Sequence, residues 1–182
     1  MVNTEQQKES TGLSENDPDF ATRFAQAWLA AWNSGDSQNV LDLMMPDCEY
    51  TDNGWPTVMR THEEARVFVE HMLAGFPDVR FELEGAVMTD PGNRRASFTW
   101  RMTATHSGTI EPPGLAPTGK SIDVRGFDVQ EYVGSRVAKV WIGWDMADLQ
   151  RQLGVMPPMH SKTERMMAKM NGSKKLFGLL GR

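Results

Sequence analysis

The sequence predicts an α+β domain, and three observations carry that prediction. Before Pro77 the apolar residues recur at helical spacing; after it the period drops from 3.6 to 2. Four period-2 segments then follow one another with turn residues between them and no helical pattern interposed. Helices first and an antiparallel meander second is the order of an α+β fold, not of an alternating α/β one.

The elements can be justified in order. Asp17 suits an N-cap, Pro18 the first helical position and Gly35 the stop. Between them Phe20, Phe24, Ala27, Trp28 and Ala31 share one face. A short second helix is predicted over 37–45, with Val40, Leu41 and Met44 apolar, ending at Pro46. Residues 47–52 read as a strand closed by the Asn53-Gly54 turn signal. Thr61 and Glu64 form a capping-box pattern for a third helix that carries Ala65, Phe68, Val69, Met72 and Leu73. Strands are predicted over 79–89, 95–106, 121–132 and 137–144. Asp145, with Asp148 three positions on, reads as the N-cap of a last helix and so as structural.

Composition narrows the function classes. The 182 residues suit one domain with tails: 1–16 as a disordered arm, 17–156 as the domain, and 157–182 as a basic tail. A net charge of −5 argues against a nucleic-acid partner. No apolar run reaches the roughly 18 residues of a membrane span, and the polar start lacks a signal-peptide core, so a cytoplasmic protein is expected. The single Cys48 allows no internal disulfide. His62, His71 and His160 show no ligand spacing with each other or with Cys48; no metal and no cofactor is expected. Neither a phosphate loop nor a Gly-x-Ser-x-Gly motif is present. The tail, with Met166, Met167 and Met170 at helical spacing and Leu176 to Leu180 beyond, is expected as a mobile tail, a lid or a dimer contact.

Local residues carry a resemblance. Thr105-His106-Ser107-Gly108, Pro117-Thr118-Gly119-Lys120, Trp144-Asp145 and Arg151-Gln152-Leu153-Gly154 are similar to the SnoaL-like polyketide cyclase branch of the nuclear transport factor 2-like superfamily, over Phe20 to Gly154. The resemblance implies a cone-shaped fold, with three N-terminal helices packed on a curved antiparallel sheet around an apolar pocket. Its relatives include polyketide cyclases, ketosteroid isomerases, limonene-epoxide hydrolases, dehydratases, α-pinene oxide lyase and plain binding domains, so fold alone does not decide the reaction.

Alternation assigns the pocket lining, because successive strand side chains face opposite ways. In the second predicted strand of the meander Phe98, Trp100, Met102, Ala104 and His106 share the apolar parity, which places His106 near the mouth and turns Arg101 outward. Ile122, Val124, Gly126 and Asp128 share a face on the next strand, and Val140, Ile142 and Trp144 on the last. Hairpin register sets Ile142 opposite Asp128, and Trp28 is expected to close the floor. Phe127, Val129 and Trp141 then fall on the convex face, where exposed apolar area suggests a homodimer.

An acid that continues an apolar face is the most informative feature of the chain. Poor solvation would keep Asp128 neutral and able to donate a proton, while Asp52, at the end of its strand, or His106 would remove one, and Tyr50 would orient an oxygen. By resemblance Asp52 occupies the place of the ketosteroid isomerase base and Asp128 that of its protonated aspartic acid, but Trp28 stands where the tyrosine donor would be. The last-strand aspartate of the cyclases and epoxide hydrolases is Ile142 here, and the hydrolase Arg-x-Asp is Arg101-x-Thr103; Tyr50-x-Asp52 does resemble that enzyme's Tyr-x-Asn. The expected function is a cofactor-independent isomerase or lyase acting on a hydrophobic, oxygen-bearing small molecule, first of all by opening a terpene epoxide. A polyketide cyclase or ketosteroid-isomerase-like enzyme, and a binding module in which Asp128 only holds the sheet, remain as alternatives.

Overall fold

The computed structural model describes residue 13 and residues 17–90, 94–111 and 114–171. Most of the expected N-terminal arm and the Leu176–Leu180 stretch lie outside the described residues. Among the described residues five helices and five strands run in the order α1 (Phe20–Asn33), α2 (Ser37–Asp42), β1 (Met44–Asp52), α3 (His62–Gly75), β2 (Arg80–Asp90), β3 (Arg95–Thr105), β4 (Ser121–Val133), β5 (Arg136–Trp144), α4 (Met146–Leu153) and α5 (Lys162–Asn171).

The sheet order is β1-β5-β4-β3-β2. The last four strands form the expected antiparallel meander, whereas β1 joins β5 in parallel, so the sheet is mixed at one edge. A register shift between Glu84 and Met88 bends β2, with Gly85 at φ +77° supplying the left-handed conformation that a side chain disfavours.

Asp17 caps a tight turn ahead of the helix proper: its Oδ1 accepts from the Asp19 N–H at 2.9 Å, and α1 begins at Phe20. The second helix stops at Asp42, short of the expected Met45. Pro46 disfavours helical backbone at Met45, and Met44 already pairs with Val137. At α3, Thr61 Oγ1 accepts from the Glu64 N–H at 3.2 Å, while Glu64 reaches back to the Arg60 N–H, one residue beyond the usual capping-box partner. Asp145 caps α4 as expected, accepting from the Asp148 N–H at 2.9 Å.

Helix α1 lies across β2 and β3 and buries Phe24, Trp28, Leu29 and Trp32 against the sheet. Its last residue, Asn33, satisfies the outer edge of β2 by bonding both the N–H and the C=O of Phe81. Among the described residues the opposite face of the sheet keeps side chains exposed. There the exposed Phe127 and Trp141 rings meet edge to face at 5.8 Å, and Arg101 pairs with Asp123. None of the helices in the described residues is long and apolar enough to cross a membrane. Helix α5 exposes Met166, Met167 and Met170.

Candidate active site

The site grows from one row of residues across the sheet. On β4 the alternation predicted through Asp128 continues further: Ile122, Val124, Asp128, Gln130 and Tyr132 are all buried. Asp128 faces Phe98 on β3 and Ile142 on β5, and Ile142 in turn faces Asp52 on β1. The two carboxyls therefore stand on one face of the sheet with a single strand between them. Both line a cavity of about 370 Å³, opening included, that is closed by α1 and α3.

Asp128 is almost wholly buried, and both of its oxygens are held. Trp100 Nε1–H donates to Oδ1 at 2.7 Å and Gln130 Nε2–H to Oδ2 at 3.1 Å. Gln130 Oε1 accepts in turn from the Tyr132 hydroxyl at 2.8 Å, a bond that fixes which end of the amide meets the carboxyl. Burial pushes the Asp128 carboxyl up to about 7, against the pull of Trp100 and Gln130, and the charge of Asp52 adds to the rise. Near neutrality it is in part a protonated acid inside an apolar chamber.

Asp52 sits differently. Its Oδ1 takes two bonds, from the Gly54 N–H at 2.7 Å and from Trp144 Nε1–H at 3.0 Å. Among the described residues Oδ2 has no hydrogen-bond partner. Burial raises the Asp52 carboxyl above its ordinary value, and the Trp144 and Gly54 donors oppose the rise. The Tyr50 ring contacts the Trp28 and Phe68 rings, and its buried hydroxyl has no partner among the described residues. Burial first, and then the charges of Asp52 and Asp128, hold the phenol well above its usual range. An orphan hydroxyl in such a place costs about 1–3 kcal/mol unless something bonds it, so the chamber suits a guest with a polar atom. Together these groups can supply a neutral acid, a carboxylate with a free oxygen and a phenolic donor to one small molecule.

Trp100, Met102, Ile142 and Trp144 line this chamber from the strand face that alternation gave them, and Trp28 lines it from α1. Three expected residues do not. Val124 and Val140 have the right parity but are fully packed into the core. His106 is also buried away from the cavity. Its Nδ1 meets Thr118, accepting from the backbone N–H at 3.2 Å; its ring packs on Phe76; and burial lowers its basicity. Leu29, Trp32, Phe68, Met72 and Phe81 complete the lining without having been anticipated. Gln130 was missed too, although it continues the same alternation that singled out Asp128. Cys48 is buried and its thiol is pushed up to about 12, which leaves it unreactive. Among the described residues no group of three His, Cys, Asp or Glu side chains is placed to hold a metal ion.

Comparison with known proteins shows the same fold. Solved structures that share the fold include TsrD from Streptomyces laurentii (TM-score 0.65, 21% identity, 77% of this chain and 98% of that one). They also include AclR from Streptomyces galilaeus, a candidate hydroxylase (0.64, 23%, 75% and 97%). A candidate polyketide cyclase from Acidithiobacillus ferrooxidans is 27% identical (0.61, 74% and 94%). No curated protein matches the chain. The SnoaL-like polyketide cyclase profile matches residues 22–153, the span that builds the chamber, and the chain therefore belongs to this family of the nuclear transport factor 2-like superfamily.

Proposed function

We propose that the protein is a cofactor-independent acid/base enzyme acting on a hydrophobic small molecule that carries an oxygen. The observation behind this is the pair of buried carboxyls in one apolar chamber, one with both oxygens bonded and the other with one oxygen free. Carboxyls whose surroundings differ can act as acid and base in one turnover. Asp128 gives its proton to the substrate oxygen, Asp52 Oδ2 takes a proton from carbon, and the Tyr50 hydroxyl orients the oxygen.

For a terpene epoxide, the most specific form of this reading, the Asp128 proton goes to the oxygen as a C–O bond breaks. Asp52 removes a proton from the neighbouring carbon, and the electron pair of that C–H bond becomes the alkene. The product is an isomeric allylic alcohol, with no atom gained or lost. Arg101 is tied to Asp123 on the outer face, so an inward Arg-carboxylate pair that would activate water is not part of this scheme. Ring closure of a polyketide or migration of a steroid double bond would use the same two carboxyls.

One observation favours a second reading, a binding module: both Asp128 oxygens already serve neighbours in the sheet. Thermal-shift and native mass-spectrometry screens against terpene oxides, ketosteroids and anthraquinone esters separate the two. The enzyme reading expects a stabilising compound that is consumed by the wild type and not by Asp52→Asn/Asp128→Asn. Turnover that persists in the double variant would rule out the mechanism, and stabilisation without turnover would favour the module. The exposed Phe127–Trp141 pair supports a homodimer on that outer face; Trp141→Lys should then shift the mass measured by light scattering from dimer to monomer.

A further inference from the structure

A second, larger chamber of about 830 Å³, opening included, adjoins the first, and Asp52, Phe68, Met72 and Trp144 line both. We propose that this outer chamber is a substrate subsite, which takes the apolar arm of an elongated ligand whose oxygen-bearing ring occupies the inner chamber. The assignment of the ring rests on the function proposed above; that of the arm rests on the outer chamber itself.

Most of the wall is apolar and comes from separate pieces of chain: Trp55 after β1, Phe76 after α3, Ile110 and Leu115 in the loop after β3, and Met146, Leu149 and Val155 on and after α4; His71, Glu111 and Gln150 add polar groups to it. A compact molecule seated at Asp128 would leave these walls against water. An apolar arm that covers them gains binding energy in proportion to the area removed from solvent. Met72 and Met146 add side chains that adapt to an irregular guest.

The chamber is also built to stay open. The Ser107 and Gly108 N–H groups both donate to the Gly75 carbonyl at 3.2 Å, pinning the loop after β3 to the end of α3. Any side chain at Gly108 would collide with the Ala74 carbonyl, so this close approach requires glycine. Ile110 lies over Gly75, Ile110 and Leu115 bridge each other, and the Glu111 N–H bonds His71 Nε2. A wall fixed in advance loses little entropy when a ligand arrives. Between the chambers, the Trp144 indole is held by its bond to Asp52, so an arm leaving the inner chamber runs past Trp144 beside the base.

Calorimetric titration of the full chain with phenol, 4-butylphenol and 4-octylphenol tests the subsite without requiring turnover. Affinity should tighten along the series, by about fourfold for each methylene that becomes buried. Val155→Trp changes an exposed residue and should fold normally; it and Leu115→Trp should weaken 4-octylphenol at least tenfold, on the order of one pocket-filling side chain, and leave phenol within about twofold. Two outcomes would overturn the subsite: no gain along the series in the wild type, or a gain that neither variant reduces. Failure of the catalytic reading shows separately, as turnover that survives Asp52→Asn/Asp128→Asn, and leaves these binding data untouched.

Discussion

Asp52 and Asp128 are both in register with Ile142, one from each side, so the two carboxyls face the same chamber across a single intervening strand. Two strand spacings put their Cα atoms about 10 Å apart, a gap that a small ring spans with its oxygen at one carboxyl and an acidic C–H at the other. If they act in one proton transfer, Asp128→Asn and Asp52→Asn should each lower kcat/KM by about 10²–10⁴-fold. The double variant should be little worse than either single one, because members of one catalytic unit are not additive. Multiplying effects in steady-state kinetics would mean that the two act independently.

The pH profile should be bell-shaped. Asp128 must hold its proton, so activity should fall above about 7, where burial has moved its titration. Asp52 must be ionised, and its carboxyl is raised by burial, so the acidic limb should lie above the ordinary carboxylate value of 3.8. The same shift acts on stability. A carboxyl raised by folding favours the folded state while it is protonated, and that contribution is lost as pH rises from 3.8 in the unfolded chain through about 7 in the folded one. Melting temperatures across this window should show the wild type losing ground to Asp128→Asn; a constant difference would mean that Asp128 does not titrate there.

Much of this arrangement was legible in the chain because strand alternation is local. Parity alone put Asp128, Trp100 and Ile142 on the inner face, and the short β4–β5 turn fixed Ile142 opposite Asp128. What alternation cannot give is how deep along a strand the cavity ends. Val124 and Val140 share the inner face yet are packed into the core, and His106 is covered by Phe76. The parallel pairing of β1 with β5, which brings Asp52 to Ile142, joins segments some 90 positions apart and leaves no periodic trace. The helix contributions from Trp32, Phe68 and Met72 depend on how α1 and α3 cross the sheet, which side-chain spacing within each helix does not encode.

Gly126 should not tolerate a side chain. A Cβ there would lie 2.3 Å from the Trp100 ring and 2.8 Å from the Gly143 carbonyl oxygen. Trp100 lies over this glycine while its Nε1–H bonds Asp128, so Gly126→Ala must displace the indole from the carboxyl. Overpacking of this kind costs about 1–3 kcal/mol. Chemical denaturation should show that loss, and because a donor to the ionised carboxyl is withdrawn, the alkaline limb of the activity profile should move to higher pH. Wild-type stability and an unmoved limb would mean that Trp100 does not depend on this glycine for its place.

Trp144→Phe gives the sharpest separation of roles, since it keeps an aromatic ring between the chambers and removes only the indole donor to Asp52. The Gly54 N–H at 2.7 Å remains, so Asp52 should stay oriented. Trp144 favours the ionised carboxyl and thereby holds its titration down; without it, Asp52 should pick up its proton at a higher pH. The acidic limb of the profile should then move upward while the alkaline limb, set by Asp128, stays in place. Above the new limb kcat should recover to near the wild-type value, because the base is again ionised and still faces the substrate. A uniform loss at every pH would instead make Trp144 a packing residue, and an acidic limb that does not move at all would remove Asp52 from the role of base.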